Sequence, residues 1–179
     1  MTTCCSVLGL IFLVITNLTI IIAFATPYWV EFGSGSSNQG LWAYCRSDQC
    51  TWVFEDHYKI LSPMKVSEGW WIATLGLMCA GLALGLLALL LATIALCCDC
   101  RGCNASHAIG GMLLTAFLAL GVAAVVFGVC ANKYYSVLLE ATLLSGKQFG
   151  WSFWLNAAAS GLALLTSFIY IIEGRGKSA

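Results

Sequence analysis

The sequence has very little charge. Asp, Glu, Lys and Arg together make up 9% of its 179 residues, whereas they supply roughly 25% of an ordinary soluble domain. The eight basic residues are balanced by eight acidic ones, so the net charge gives no attraction to nucleic acid. This composition argues against a soluble enzyme, a disordered tail and a DNA-binding module.

Long stretches without any charged residue divide the chain. A membrane-spanning helix needs about 20 apolar residues. Four stretches of at least 25 residues contain no Asp, Glu, Lys or Arg, and they are residues 1–30, 69–98, 102–132 and 148–172. We predict one domain with four transmembrane helices, at about 6–26, 70–96, 108–131 and 149–172. The first has no basic segment before it and is longer than the apolar part of a typical signal peptide, so we expect it to be retained.

Four crossings place both termini on the same side of the membrane. The first loop (27–69) and the third loop (132–148) then share one face, while the second loop (97–107) and the tail (173–179) share the other. Five basic residues lie on the first face and three on the second. The excess of Lys and Arg expected on the cytosolic side therefore does not orient the chain.

The cysteines orient the chain better than the basic residues do. Cys45 and Cys50 form a close pair in the polar first loop, which suggests a disulfide and hence an oxidising compartment. Six others crowd the membrane edge on the side of the termini, and such juxtamembrane clusters suggest S-palmitoylation, a cytosolic modification. These six candidates for lipidation are Cys4, Cys5, Cys97, Cys98, Cys100 and Cys103. We therefore expect an extracellular first loop and cytosolic termini.

Neither a metal site nor a catalytic site is expected. Four thiols between Cys97 and Cys103 would formally suffice for zinc, but zinc sites more often use separated Cys pairs or His partners, so lipidated or unmodified thiols explain them better. His57 and His107 stand alone, without a Ser/His/Asp set or paired intramembrane carboxylates. The predicted spans also lack the ionisable residues that proton-coupled transporters need. We predict a protein that is not an enzyme and has no cofactor.

The first loop has the composition of a small antiparallel sheet. β-Branched and aromatic residues concentrate at 28–32, 41–44 and 51–54, with turn-forming Gly, Ser and Asp residues between them. A disulfide between Cys45 and Cys50 would join two strands across a four-residue turn. It would stabilise a hairpin that is too small to be stable in water alone.

The first loop also carries a specific motif. Trp29 is followed by Gly40-Leu41-Trp42 and then by Cys45 and Cys50, all between the first two predicted spans. This motif resembles the signature of the claudin, peripheral myelin protein and epithelial membrane protein superfamily. The resemblance covers the whole chain, because the span lengths and the long first loop also fit. It implies a left-handed four-helix membrane bundle with a small extracellular antiparallel β-sheet, maintained by the motif residues.

Within this superfamily the chain is similar to the lens-fibre intrinsic membrane protein and the epithelial membrane proteins at residues 38–50 and 149–153. It has fewer residues between the two cysteines than typical claudins. It also has no basic residue just before the second span and no PDZ ligand in its short tail. These departures count against scaffold-tethered tight-junction strands, although a divergent claudin-like protein stays open.

Small and polar residues within the spans are predicted to hold the helices together. Gly81 and Gly85 form a small-xxx-small pattern, and residues 157–161 are similarly small, so close packing within the bundle is favoured over a dimer interface. Asn17 and Asn156 are expected to hydrogen-bond each other or nearby backbone. Each such bond contributes about 0.6 kcal/mol, and the role is structural.

We expect the protein to act by association through its extracellular sheet, in cell–cell adhesion, junction assembly or membrane organisation. Its partners would be the lipid bilayer and a second copy, in cis or in trans, or another membrane protein, at cell–cell contacts of the plasma membrane. The candidate contact residues of the first loop are Arg46, Asp48, Phe54, Glu55, Asp56 and Tyr58. Those of the third loop are Tyr134, Tyr135, Val137, Leu138 and Leu139. For Phe54, Tyr58 and the third-loop residues, packing against the sheet or the bilayer is an equally open alternative.

Two other functions are open. The resemblance also implies a paracellular barrier or ion pore of the tight-junction type, in which Arg46, Asp48, Glu55 and Asp56 would set charge selectivity. The superfamily further includes relatives of calcium-channel γ subunits, so the chain could be an auxiliary subunit of an ion channel or receptor.

Overall fold

A computed structural model describes residues 4–32, 37–46, 49–55, 68–97, 105–142 and 147–178. This part of the chain forms four long helices and five short strands. The helices are α1 (Cys4–Ala25), α2 (Gly69–Cys97), α3 (Ala105–Thr142) and α4 (Trp151–Ser178). The strands are β1 (Val30–Phe32), β2 (Ser37–Gln39), β3 (Ala43–Arg46), β4 (Gln49–Trp52) and β5 (Lys147–Phe149).

Each helix contains an apolar segment long enough to cross a membrane. These segments are Ser6–Ala25, Gly69–Leu96, Ala105–Tyr134 and Trp151–Gly176. A helix suits the bilayer because it pairs its backbone N–H and C=O groups within the segment, where no water can reach them. The chain is therefore a multi-pass membrane protein, and the predicted four-helix membrane fold with a small antiparallel sheet is confirmed.

Polar side chains fix the antiparallel register of α3 and α4. Three side chains of α4 donate hydrogen bonds to backbone carbonyls of α3, and the residue numbers fall along α3 as they rise along α4. The pairs are Asn156 to Leu120 at 3.3 Å, Ser160 to Phe117 at 3.1 Å and Ser167 to Gly110 at 2.7 Å. Sliding one helix along the other would break all three bonds.

Asn17 joins α1 to α2. Its Nδ2 donates to the carbonyl of Leu13 at 2.9 Å and to that of Gly85 on α2 at 3.1 Å. A Cβ at Gly85 would lie 2.7 Å from Asn17 Oδ1, so the glycine is what lets the amide reach the neighbouring backbone. Asn17 and Asn156 thus bond to backbone carbonyls, the second of the two arrangements expected, and each joins a different pair of helices.

The five strands form one antiparallel sheet in the order β4-β3-β2-β1-β5. It lies where α1 and α3 end and α2 and α4 begin, here called the sheet end; the opposite end is the termini end. β1 pairs on both sides, so that Val30 lies opposite Gln39 of β2 and Phe149 of β5. β5 was not predicted, because three residues carry no readable alternation.

The third loop and the tail contain more helix than the sequence predicted. Residues 132–148 were expected to be a loop, but α3 continues to Thr142 and β5 follows. Residues 131–144 contain neither Gly nor Pro to end the helix. Lys133 marks the end of the apolar stretch but not the end of the helix. Likewise, the predicted tail from residue 173 is helical to Ser178. Glu173 is buried in it and accepts a hydrogen bond from Ser6 of α1.

Candidate functional site

The predicted disulfide is present and connects β3 to β4. Cys45 and Cys50 lie directly opposite each other in the hairpin, with Cα atoms 4.0 Å apart. Cys45 is buried, whereas Cys50 is exposed on the outer strand. The bond joins the two strands next to Arg46 and Gln49, so the strands cannot separate at that end of the hairpin.

Trp29 attaches the sheet to the helices. Its indole is fully buried, and its ring packs edge-on against Phe127 of α3 at 4.8 Å and Phe153 of α4 at 6.1 Å. Its Nε1 donates to the carbonyl of Ala23 in α1 at 2.7 Å. One side chain from the base of β1 therefore contacts three of the four helices.

Gly40 and Gly150 approach the same short segment, which connects α1 to β1. A Cβ at Gly40 would lie 2.5 Å from the carbonyl oxygen of Thr26 and would overlap Pro27. A Cβ at Gly150 would lie 2.7 Å from the carbonyl carbon of Tyr28 and would overlap its oxygen. Only a residue without a side chain fits at either position, because the atoms in the way belong to the backbone.

The remaining motif residues continue this junction. Leu41 is fully buried in the core beneath the sheet. Trp42 is half-buried, and its ring lies edge-on to that of Phe24 at the end of α1, with centroids 5.2 Å apart. Trp29, Gly40, Leu41 and Trp42 thus all lie where the sheet meets the bundle.

The candidate contact residues fall at different levels of the sheet. Arg46 is exposed at the end of β3, whereas Phe54 and Glu55 are exposed in the turn after β4. Asp48, Asp56 and Tyr58 lie outside the described residues. In the third loop, Tyr134 is half-buried against Trp70 of α2, with ring centroids 6.1 Å apart. Tyr135, Val137, Leu138 and Leu139 lie on the continuing helix α3.

The candidates for lipidation lie at the termini end as far as the structure describes them. Cys4 and Cys5 begin α1, and Cys97 ends α2. Cys98, Cys100 and Cys103 lie outside the described residues. Within the described ranges, no group of three or more His, Cys, Asp or Glu residues is placed to hold a metal ion.

Sequence reasoning missed Gly150 and the two phenylalanines around Trp29. Phe149-Gly-Trp-Ser-Phe153 stood out only as a resemblance, since nothing in a linear motif shows that Gly150 faces the backbone of Tyr28. Phe127 lies in a run of small and β-branched residues and gave no signal of its own. The available clue was the position of Phe127 near the end of its charge-free stretch, which places it at the same end of the bundle as the start of the next span.

One comparison identifies the family. The family model described as PMP-22/EMP/MP20/Claudin family matches residues 4–170, from the start of α1 well into α4. No individual curated protein matches the chain. The matched range contains all five strands of the sheet, the disulfide and every motif residue. This family consists of structural membrane proteins rather than enzymes. The chain belongs to the PMP-22/EMP/MP20/Claudin family.

Proposed function

We propose that the protein organises membranes by association, with its sheet in contact with a second copy or another membrane protein at cell–cell contacts. The observation that carries this proposal is the fixed attachment of the sheet to the bundle. β1 follows α1 after a short segment, and β5 is followed directly by α4. Trp29 contacts three helices, and a disulfide closes the outer hairpin. A surface that is already rigid loses little conformational entropy on binding.

The proposed contact surface is the end of the β3–β4 hairpin at Arg46 and Gln49. Arg46 and Gln49 face each other across the turn and are both exposed. They lie about four residues, or roughly 13 Å, beyond the base of the hairpin at Trp42, given the rise of about 3.3 Å per residue in a strand. A polar surface at that distance from the base of the hairpin can meet a partner without inserting into lipid.

We also propose that the sheet end faces the exterior and the termini end faces the cytosol. The disulfide supports this orientation, because disulfides persist in oxidising compartments and are rare in the cytosol. The cysteines that begin α1 and end α2 lie at the other end, where cytosolic acyltransferases would reach them. Each acyl chain would add about 0.8 kcal/mol of membrane binding per buried methylene.

Expression in non-adherent cells tests the adhesion proposal. The wild-type protein is expected to aggregate the cells, and Arg46→Glu is expected to reduce aggregation severalfold by reversing the charge at the contact surface. Cys45→Ser is expected to abolish aggregation because the hairpin loses its closure. Cell clusters are counted after surface biotinylation has shown equal amounts of each variant at the plasma membrane.

Arg175→Glu is the matched control, since Arg175 is an exposed arginine at the opposite end of the bundle. It should aggregate cells as the wild type does. Wild-type cells that stay single would contradict the adhesion proposal, and equal aggregation by Arg46→Glu would contradict the assignment of the contact surface. If the non-adherent cells stay single but expression in an epithelial monolayer raises its transepithelial resistance, a paracellular barrier is favoured instead.

Acyl exchange tests the proposed lipidation. Hydroxylamine cleaves thioesters, and the freed thiols are counted by the mass of a polymer tag. Tagging should be lost when the six cysteines at the termini end are replaced by serine. It should persist when Cys79 and Cys130, the free cysteines within α2 and α3, are replaced instead. Unlabelled wild-type protein, or labelling that survives in the six-serine variant, would contradict the proposal.

A further inference from the structure

Three aromatic rings connect the end of α1 to the outer strand of the sheet. The ring of Phe24 lies edge-on to Trp42 at 5.2 Å, and Trp42 stacks on Phe54 at 5.9 Å with an interplanar angle of 23°. We call these three residues the aromatic row. Phe54 is 81% exposed, more than any other large hydrophobic side chain in the described part of the chain. Such exposure of a phenylalanine beside other aromatic rings calls for an explanation.

The register of the hairpin sets the level of Phe54 relative to the membrane. The backbone N–H of Val53 donates to the carbonyl of Trp42 at 2.9 Å, and this bond marks the open base of the β3–β4 hairpin. The next residue before Trp42, Leu41, is buried in the core of the bundle. Phe54 directly follows this base, so it lies near the bundle, whereas Arg46 and Gln49 form the other end of the hairpin.

The other end of the aromatic row belongs to the membrane-spanning surface. Phe24 lies in the last turn of the apolar segment Ser6–Ala25. Phe24 is half-buried, and Ile21, three residues earlier on the same side of α1, is 40% exposed where lipid surrounds the bundle. Ile22 is 45% exposed on the opposite side of the same helix. The row therefore begins beside the lipid-facing side chain of Ile21 and leads from α1 onto the sheet.

We propose that Phe54 inserts into the interfacial layer of the bilayer beside α1, so that lipid, rather than a protein partner, covers the aromatic row. Aromatic residues are enriched at the level where the hydrocarbon core meets the headgroups, and an exposed ring at that level gains by leaving water. Glu55, the next residue, is exposed and can keep its carboxylate among the hydrated headgroups. Trp52, 46% exposed on β4, lies on the same edge of the sheet.

This inference separates two candidate residues that the sequence had grouped together. Arg46 lies at the closed turn of the hairpin and stays available to a protein partner, whereas Phe54 lies at its open base and contacts lipid. The β4 edge would thereby be held against the membrane surface on the α1 side. The inference does not depend on which side of the membrane the sheet end faces.

A photo-crosslinking residue at position 54 tests this directly. Phe54 is replaced by p-benzoylphenylalanine, which preserves an aromatic ring, and the purified full chain is placed at one copy per phosphatidylcholine nanodisc. After irradiation, mass spectrometry is expected to find phospholipid adducts in a yield comparable with that at Ile22. The same probe at Gln49, exposed at the turn of the hairpin, should give none.

A phospholipid yield at position 54 no higher than at Gln49 would overturn the proposal. Nanodiscs that hold two copies test the competing occupant: the proposal requires lipid adducts to persist, and their replacement by crosslinked dimers would show that a second copy covers the row. Each variant is checked for an intact Cys45–Cys50 disulfide, so a loss of lipid adducts is not mistaken for a loss of folding.

Discussion

Replacing Trp29 by alanine is expected to lower the free energy of unfolding by about 3–5 kcal/mol, the range measured for buried Trp or Phe truncations. The indole is fully buried, so its removal leaves a cavity at the junction of sheet and bundle. The truncation also removes the donor to the carbonyl of Ala23 and the ring contacts with Phe127 and Phe153. Unfolding is measured by titration with sodium dodecyl sulfate in mild detergent, followed by circular dichroism.

Trp154→Ala is the matched control. Trp154 is 63% exposed on the outside of α4, so its truncation costs little packing, and we expect a change below about 1 kcal/mol. Trp29→Phe should fall between the two, because it keeps an aromatic ring but loses a hydrogen bond that contributes about 1 kcal/mol. Equal destabilisation by Trp29→Ala and Trp154→Ala would refute the packing role assigned to Trp29.

The substitution Gly150→Ala is expected to destabilise the protein by about 3 kcal/mol, at the upper end of the usual cost of overpacking. The added Cβ would lie 2.7 Å from the carbonyl carbon of Tyr28, and no rotamer can relieve a clash with backbone. Relief requires β5 to move away from β1, which strains the hydrogen bond from Gly150 N to Trp29 O at 3.0 Å. The same detergent titration measures the effect.

Gly161→Ala provides the comparison at a glycine of the adjoining helix. Apart from its own turn of helix, nothing lies within 4 Å of the position that its Cβ would occupy, and alanine is the better helix former. Stability should therefore stay unchanged or rise slightly. A Gly150→Ala variant as stable as Gly161→Ala would mean that the segment between α1 and β1 can shift without lowering the free energy of unfolding. That result would contradict the importance assigned to the close approach of Gly150 to Tyr28.

The helices and the disulfide-bonded hairpin could be predicted from the sequence because their signals are local. A charge-free stretch long enough to cross the membrane is visible without knowing any neighbour. Cys45 and Cys50 flank a turn between two segments rich in strand-forming residues, so the pairing needs only a few residues to be recognised. Trp29 stood out as part of a motif, although the motif did not reveal which rings surround it.

The rest depends on contacts between distant parts of the chain. β5 becomes a strand because β1 offers it an edge, and no property of Lys-Gln-Phe announces this. Asn17 had two possible kinds of partner, and the absence of a side chain at Gly85 decides between them. Phe54 was a candidate for contact with a partner or with the bilayer, and only its stacking on Trp42 and the hairpin register support the lipid contact proposed above.

The order of the strands has a consequence for biosynthesis. β1 to β4 lie within the first 52 residues and can pair before the rest of the chain is made, but the strand that completes the sheet directly precedes α4. Until that last segment is made, one side of β1 presents unpaired backbone donors and acceptors, an edge open to wrong partners. Assembly of this small sheet therefore depends on synthesis of the segment that leads into the final helix. In a nascent chain stopped before residue 147, the edge of β1 that pairs with β5 stays open to wrong partners.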